Sequence, residues 1–207
     1  MRKILMAAAA FLMAATAAYA DNDAILSKIE AANASVMTVE AHFVQTRLLK
    51  ASGKTMSSEG TFDYIAPDRL SMKYDSPSTD RLVINGTQLY NNRNGKATLF
   101  DTSKNQPMAA MSSTLLYCIQ GKVKKVATDN NALTDIEETD SSYVITLCTR
   151  TQSARGYTKI VLTFRKSDCT LTVLELQEAG GISTTYAMSS IRLGASVDPS
   201  AFTIPKK

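Results

Sequence analysis

Apolar positions along this chain recur with a period near 3.6 in two stretches and near 2 almost everywhere else. Asp21 to Ser35 places Ala24, Ile25, Ile29 and Ala32 at helical spacing behind Asn22 or Asp23 as a cap, which predicts a helix. Glu40 to Leu49 predicts a strand, and Met56 to Ile65 its partner across a turn at Ser52-Gly53. Pro67 has no N–H for a ladder and marks a corner or an edge. From Arg69 to Tyr74 the alternation is clean: Leu70, Met72 and Tyr74 face one way, Arg69, Ser71 and Lys73 the other. Arg81 to Ile84 and Thr87 to Asn91 flank Asn85-Gly86, a strong hairpin signal, and Lys96 to Phe100 follows a tight turn at Asn94-Gly95. Between Pro107 and Ile119 the period changes, with Met108, Met111, Leu115 and Ile119 on one helical face and Leu116 beside them. Strand patterns resume at 133–138, 142–149, 157–166, 170–178 and 183–193.

This order predicts an α+β fold: a helix, a long antiparallel meander, one helical interruption, then more meander. No repeat, low-complexity tract or linker divides it, so residues 21–207 read as a single domain. Residues 1–20 read as a signal peptide. Arg2 and Lys3 precede an apolar run from Ile4 to Ala17, and Ala18-Tyr19-Ala20 offers a cleavage site before Asp21. That run falls short of the roughly 20 residues a membrane span needs, and no cysteine follows it to take a lipid. The expected product is a soluble protein beyond the inner membrane, where ATP is absent. Arg2 and Lys3 belong to the tag, so of 23 basic residues 21 remain against 19 acidic ones, a formal charge of +2. So small an excess argues against nucleic acid as a partner.

Three cysteines, Cys118, Cys148 and Cys169, make no disulfide framework. A 142–149/157–166 hairpin puts Cys148 near its turn and Cys169 at the opposite end, about 15 Å away at roughly 3.3 Å per residue. Bridged Cα atoms lie within about 7 Å, so no Cys148–Cys169 bond is expected, while Cys118 is free to pair with either. His42 is the sole histidine and sits inside a strand, where a structural or surface role is the ordinary one. One histidine and three cysteines without ligand spacing predict no metal site. No nucleophile motif is present. Gly53-Lys54-Thr55 imitates the end of a phosphate loop, but Leu48 stands where the earlier glycine belongs. Carboxylates such as Asp63, Asp75 and Asp80 could meet in space, but nothing in the sequence selects two of them as a pair. Catalytic residues and cofactors are therefore not expected, and a binding or carrier role is the better class.

Several segments, in order, resemble the LolA family of periplasmic carriers of outer-membrane lipoproteins. His42-Phe43-Val44-Gln45 is similar to the family's F-x-Q, and Gly60-Thr61-Phe62 follows it, then Pro67 with its alternating strand. Val83-Ile84-Asn85-Gly86 with Leu89 and Tyr90 resembles the V-x-[DN]-G-x-x-[LW]-[WY] hairpin. Asp198-Pro199-Ser200-Ala201-Phe202-Thr203-Ile204-Pro205 is similar to the closing D-x-x-x-F-x-[FI]-x-P. The resemblance implies a strongly curved antiparallel sheet forming an incomplete barrel, its concave face covered by a few helices, with acyl chains held between. It implies acylated lipoprotein as cargo, an inner-membrane lipoprotein-releasing transporter that loads the carrier, and an outer-membrane acceptor or the membrane surface that unloads it. The carrier itself is expected to act as a monomer.

On that resemblance Phe43, Phe62, Tyr64, Leu70, Met72, Tyr74, Ile84 and Leu89 are expected to line the concave face. Met108, Met111, Leu115 and Leu116 are expected on the underside of a lid, where flexible methionine conforms to varied ligands. Filled core and vacant cavity share this sequence pattern. Two departures stand out. Well-studied carriers have an arginine before the proline matched to Pro67, a residue associated with lid closure and cargo transfer, whereas this chain has Ala66. Arg69 is close, but alternation points it away from Leu70 and Met72. The chain also lacks tryptophan, and closes on Lys206-Lys207 without a long extension. The alternatives are a carrier of another lipid or polyene-like molecule, and a non-catalytic sensor or interaction domain of the same fold.

Overall fold

The computed structural model describes residues 21–77, 79–150 and 156–205; the signal peptide read in residues 1–20 and the closing Lys206-Lys207 lie outside them. Eleven strands form one antiparallel sheet. They are β1 (Thr38–Leu49), β2 (Lys54–Ile65), β3 (Arg69–Tyr74), β4 (Arg81–Asn85), β5 (Gln88–Arg93), β6 (Lys96–Asp101), β7 (Ala132–Glu138), β8 (Ser142–Thr149), β9 (Tyr157–Arg165), β10 (Leu171–Glu178) and β11 (Ile182–Leu193). The order is β6-β5-β4-β3-β2-β1-β11-β10-β9-β8-β7. Two hairpin meanders thus meet where the first strand pairs with the last. Edge strands β6 and β7 do not pair with each other, which leaves the barrel unclosed.

Close backbone approach lets the sheet bend beneath its largest side chains. Phe43 on β1 is opposite Gly60 on one side and Met188 on the other. A Cβ at Gly60 would overlap the Lys73 carbonyl and lie 2.9 Å from the Tyr74 Cα, so only glycine permits this packing of β2 on β3. The Phe43 ring then meets the Tyr74 ring edge-on at 5.2 Å.

Three helices occupy the concave side among the described residues. Helix α1 spans 21–33 and buries Ile25 and Ile29 of the expected face, with Leu26 in place of Ala24 and Ala32, which are exposed. Asn33 Nδ2 ends it by donating to Ile29 O and Cys169 O at 2.8 and 2.9 Å, which ties α1 to the β9–β10 turn. Helix α2 (Gln106–Ile119) starts where the Asn105 side chain accepts from the Met108 N–H, with Pro107 in its first turn. It stops before Gly121, whose φ of +67° makes the turn into α3 (Val123–Asp129) against Ile29. The sequence pattern shows no sign of α3: seven residues with two buried valines, Val123 and Val126, are too few to establish a period.

Two apolar clusters fill the concavity. One joins α1 and α3 to the sheet through residues such as Ile145, Leu162, Phe164 and Leu174. The other gathers Phe43, Phe62, Tyr64, Leu70 and Ile84 under Leu116 of α2. Leu115, Ile119, Tyr186 and Met188 touch both, so α2 is the seam between the two halves. On the convex side, a 3-10 turn at Pro199–Phe202 presses Phe202 and Val197 onto Val83 and Tyr90. This strap explains why Ser71, predicted to face away from the core, is 2% exposed.

His42 lies half-buried on the sheet, 3.8 Å from the Glu59 carboxylate. All three cysteines are free; Cys118 and Cys169 are buried and Cys148 is exposed. Burial pushes the Cys118 thiol up to about 12, which keeps it protonated at neutral pH. Among the described residues no helix is long and apolar enough to cross a membrane.

Candidate ligand-binding groove

Inward residues grade from apolar to polar along several strands in the same direction. On β1 the buried positions run Val39, Ala41, Phe43, Gln45, and the row ends at Arg47. Across the ladder on β11 their partners are Met188, Tyr186 and Thr184. The same change appears from Leu174 and Leu176 to Glu178 on β10, and from Leu89 to Asn91 and Arg93 on β5. The concave face therefore has an apolar end and a polar mouth, which is the profile of an amphiphile.

Packing differs between the two ends. At the apolar end Phe43, Phe62, Leu70 and Met72 close against Leu115 and Ile119 of α2, with a cavity of only 20 Å³. Toward the mouth a cavity of 240 Å³ opens between the sheet and α2, bounded by Gln45, Arg47, Leu89, Arg93, Met111 and Tyr186 among others. It adjoins an open groove of 880 Å³ beside the first turns of α2, and Met108, Met111, Tyr157 and Glu178 line both. The 880 Å³ groove by itself lies in the range of ordinary ligand sites, about 300–1,000 Å³.

The twelve expected lining residues divide accordingly. Tyr74, Leu89, Met108, Met111 and Leu115 border the 240 Å³ cavity, and Leu115 also borders the small one with Phe43, Phe62, Leu70 and Met72. Tyr64, Ile84 and Leu116 belong to the same buried cluster but border neither space. Sequence reasoning passed over the polar mouth: Gln45, Arg47, Arg93, Tyr157, Glu178 and Tyr186. The signal for part of it was present, because the alternation that places Phe43 inward places Gln45 and Arg47 inward too.

Electrostatics at the mouth is set by burial. Burial raises the Tyr186 phenol well above its ordinary value and raises Tyr157 and Tyr74 as well, with the Arg93 guanidinium pulling Tyr74 back. These groups are neutral donors at physiological pH. Arg93 stacks over the Tyr74 ring, 5.5 Å from its centroid. Among the described residues no group of three or more His, Cys, Asp or Glu side chains is placed to hold a metal ion.

Helix α2 is tethered at its far end. Gln120 Nε2 donates to Pro67 O at 2.7 Å, joining the end of the helix to the β2–β3 corner beside Ala66. Arg69 lies on the other side of the sheet, 5.6 Å over the Phe202 ring, as the alternation predicts.

The unclosed antiparallel barrel thus encloses a groove with an apolar floor, a polar mouth and a helical roof. The family model of the outer membrane lipoprotein carrier protein LolA matches residues 34–205, and the chain belongs to that family. A search of curated sequences yields no significant match. Among solved structures, an uncharacterized conserved protein from Thermus thermophilus is similar in fold, with TM-score 0.51 and 9% identity over 90% of this chain and 95% of that one. MucB is similar with TM-score 0.50 and 13% identity over 90% of this chain and 63% of that one. A putative outer membrane lipoprotein-sorting protein domain from Vibrio parahaemolyticus aligns at TM-score 0.45 and 13% identity, over 86% and 95% of the two chains.

Proposed function

We propose that this protein is a non-catalytic periplasmic carrier that shields the acyl chains of lipoproteins between the inner and outer membranes. The observation that carries the reading is the graded concave face, apolar at Phe43 and Leu174 and polar at Arg47 and Arg93, under a methionine-bearing helix. An acyl chain of about 15 methylenes loses roughly 12 kcal/mol of favourable burial in water, and a carrier must replace most of that by apolar contact. With 20 Å³ free at the apolar end, a full chain enters only as α2 shifts outward. Met108 and Met111 suit such repacking because their unbranched side chains adopt many shapes. An inner-membrane releasing transporter loads the groove, and an outer-membrane acceptor or the membrane surface empties it.

Ala66 in place of the family arginine favours a second reading, in which the cargo is another lipid or a polyene-like molecule. The test is to remove detergent from a triacylated lipoprotein in the presence of the purified protein. A soluble one-to-one complex supports the first reading, and aggregation of the lipoprotein overturns it. Mass spectrometry of ligand extracted from the purified protein separates the two cargoes.

A further inference from the structure

Among the described residues, three of the seven buried side-chain polar atoms that lack a hydrogen-bond partner border a single cavity. Gln45 Oε1, Arg47 Nε and Ser112 Oγ are buried without a hydrogen-bond partner, and all three residues border the 240 Å³ cavity. Gln45 is 2% exposed and Ser112 6% exposed, one projecting from β1 and the other from α2. Arg93 borders the same space from β5. Among the described residues, neither Arg47 nor Arg93 has a carboxylate within the 4.0 Å of an ion pair. Unpaired buried donors and partly buried cations are costly, and a ligand that satisfies them recovers that cost.

Resting on the second carrier reading above, in which the cargo is another lipid, we propose that this cavity recognises the anionic oxygen head, carboxylate or phosphate, of an amphiphile whose hydrocarbon runs toward Leu115 and Phe43. Arg47 and Ser112 donate to the head, and Arg93 supplies a second cation. Gln45 Nε2 now lies 3.5 Å from the Tyr186 hydroxyl, a poor hydrogen bond. Turning the amide over lets Tyr186 donate to Oε1 and frees Nε2 for the ligand. Glu178, on β10 two strands from Arg47, borders the same cavity and disfavours the anion beside itself. Leu82, Leu89 and Met111 complete the wall, so the head is bound together with a chain and not as a free ion. An uncharged ester head makes weaker bonds with the same donors, since hydrogen bonds to ionised oxygen are about twice as strong as neutral ones.

The experiment compares cis-parinaric acid with its methyl ester by fluorescence on the purified protein. The acid is expected to bind at least about tenfold more tightly. In Arg47→Gln/Arg93→Gln that gap closes while ester affinity is kept. Should the double variant fail to fold, Ser112→Ala reports the same narrowing. Displacement of the acid by 1-palmitoyl lysophosphatidylglycerol but not by lysophosphatidylcholine assigns the site to a phosphate head; displacement by palmitate alone assigns it to a carboxylate. Equal binding of acid and ester by the unaltered protein overturns head recognition and leaves the carrier reading standing. Displacement of the acid by inorganic phosphate overturns the amphiphile assignment. Failure of both probes to bind overturns the carrier reading itself.

Discussion

Replacing Leu115 by alanine separates a filled core from a groove that opens. Leu115 borders both the 20 Å³ pocket and the 240 Å³ cavity and touches both apolar clusters. A buried Leu→Ala change costs about 2–5 kcal/mol, and a half-buried leucine belongs at the lower end, about 2 kcal/mol. For a chain of this size that lowers Tm by about 4–8 °C. The vacated volume joins the two spaces, and refilling it with three methylenes of a ligand returns roughly 2 kcal/mol at about 0.8 kcal/mol each. Affinity for a long-chain fluorescent acyl probe is then expected to rise about 30-fold. Thermal unfolding and probe titration of the same variant measure both quantities. A loss of stability with acyl affinity unchanged would falsify the argument, because Leu115 would then be core alone.

Other perturbations probe the roof, the bend and the mouth. Gln120→Ala removes the 2.7 Å bond to Pro67 O; it should cost about 1 kcal/mol and speed amide exchange in α2 while β1 stays protected. Exchange that rises equally in both elements would count against a separable roof. Gly60→Ala forces a Cβ onto the β3 backbone and should destabilise by roughly 2–3 kcal/mol in urea; a change below about 0.5 kcal/mol would mean that the sheet bends without this close approach. Burial raises the Tyr74, Tyr157 and Tyr186 phenols, so the folded state keeps protons that the unfolded state releases above the ordinary value of 10.0. Stability therefore falls as pH rises past about 10, and part of the tyrosinate absorbance should appear only as circular dichroism is lost. Full ionisation with the fold intact would contradict the burial of these rings.

Local patterning carries much of this fold. Period-2 alternation marks the strands, and Asn85-Gly86 sets the β4–β5 hairpin, because a strand with one buried face must alternate. The pairing of β1 with β11 is a contact between chain ends that no local pattern encodes. The strap of Val197 and Phe202 was hidden for a related reason. It buries Val83 and Tyr90 from the convex side, so an apolar residue there looks like an exception to the alternation. At the groove, the floor residues were legible as alternating hydrophobics. How much space they leave was not, since void volume depends on how far α2 stands from the sheet. The polar mouth escaped because alternation turns Gln45 and Arg47 inward but does not show that Tyr186 and Ser112 meet them there.

Photo-crosslinking with a diazirine-bearing fatty acid tests most directly whether hydrocarbon lies between sheet and roof. Peptide mapping is expected to place adducts on Leu89, Met108, Met111 and Leu115, residues that border the 240 Å³ cavity. Adducts confined to exposed apolar side chains such as Leu99, Leu133 and Leu193 would contradict a ligand-bearing groove.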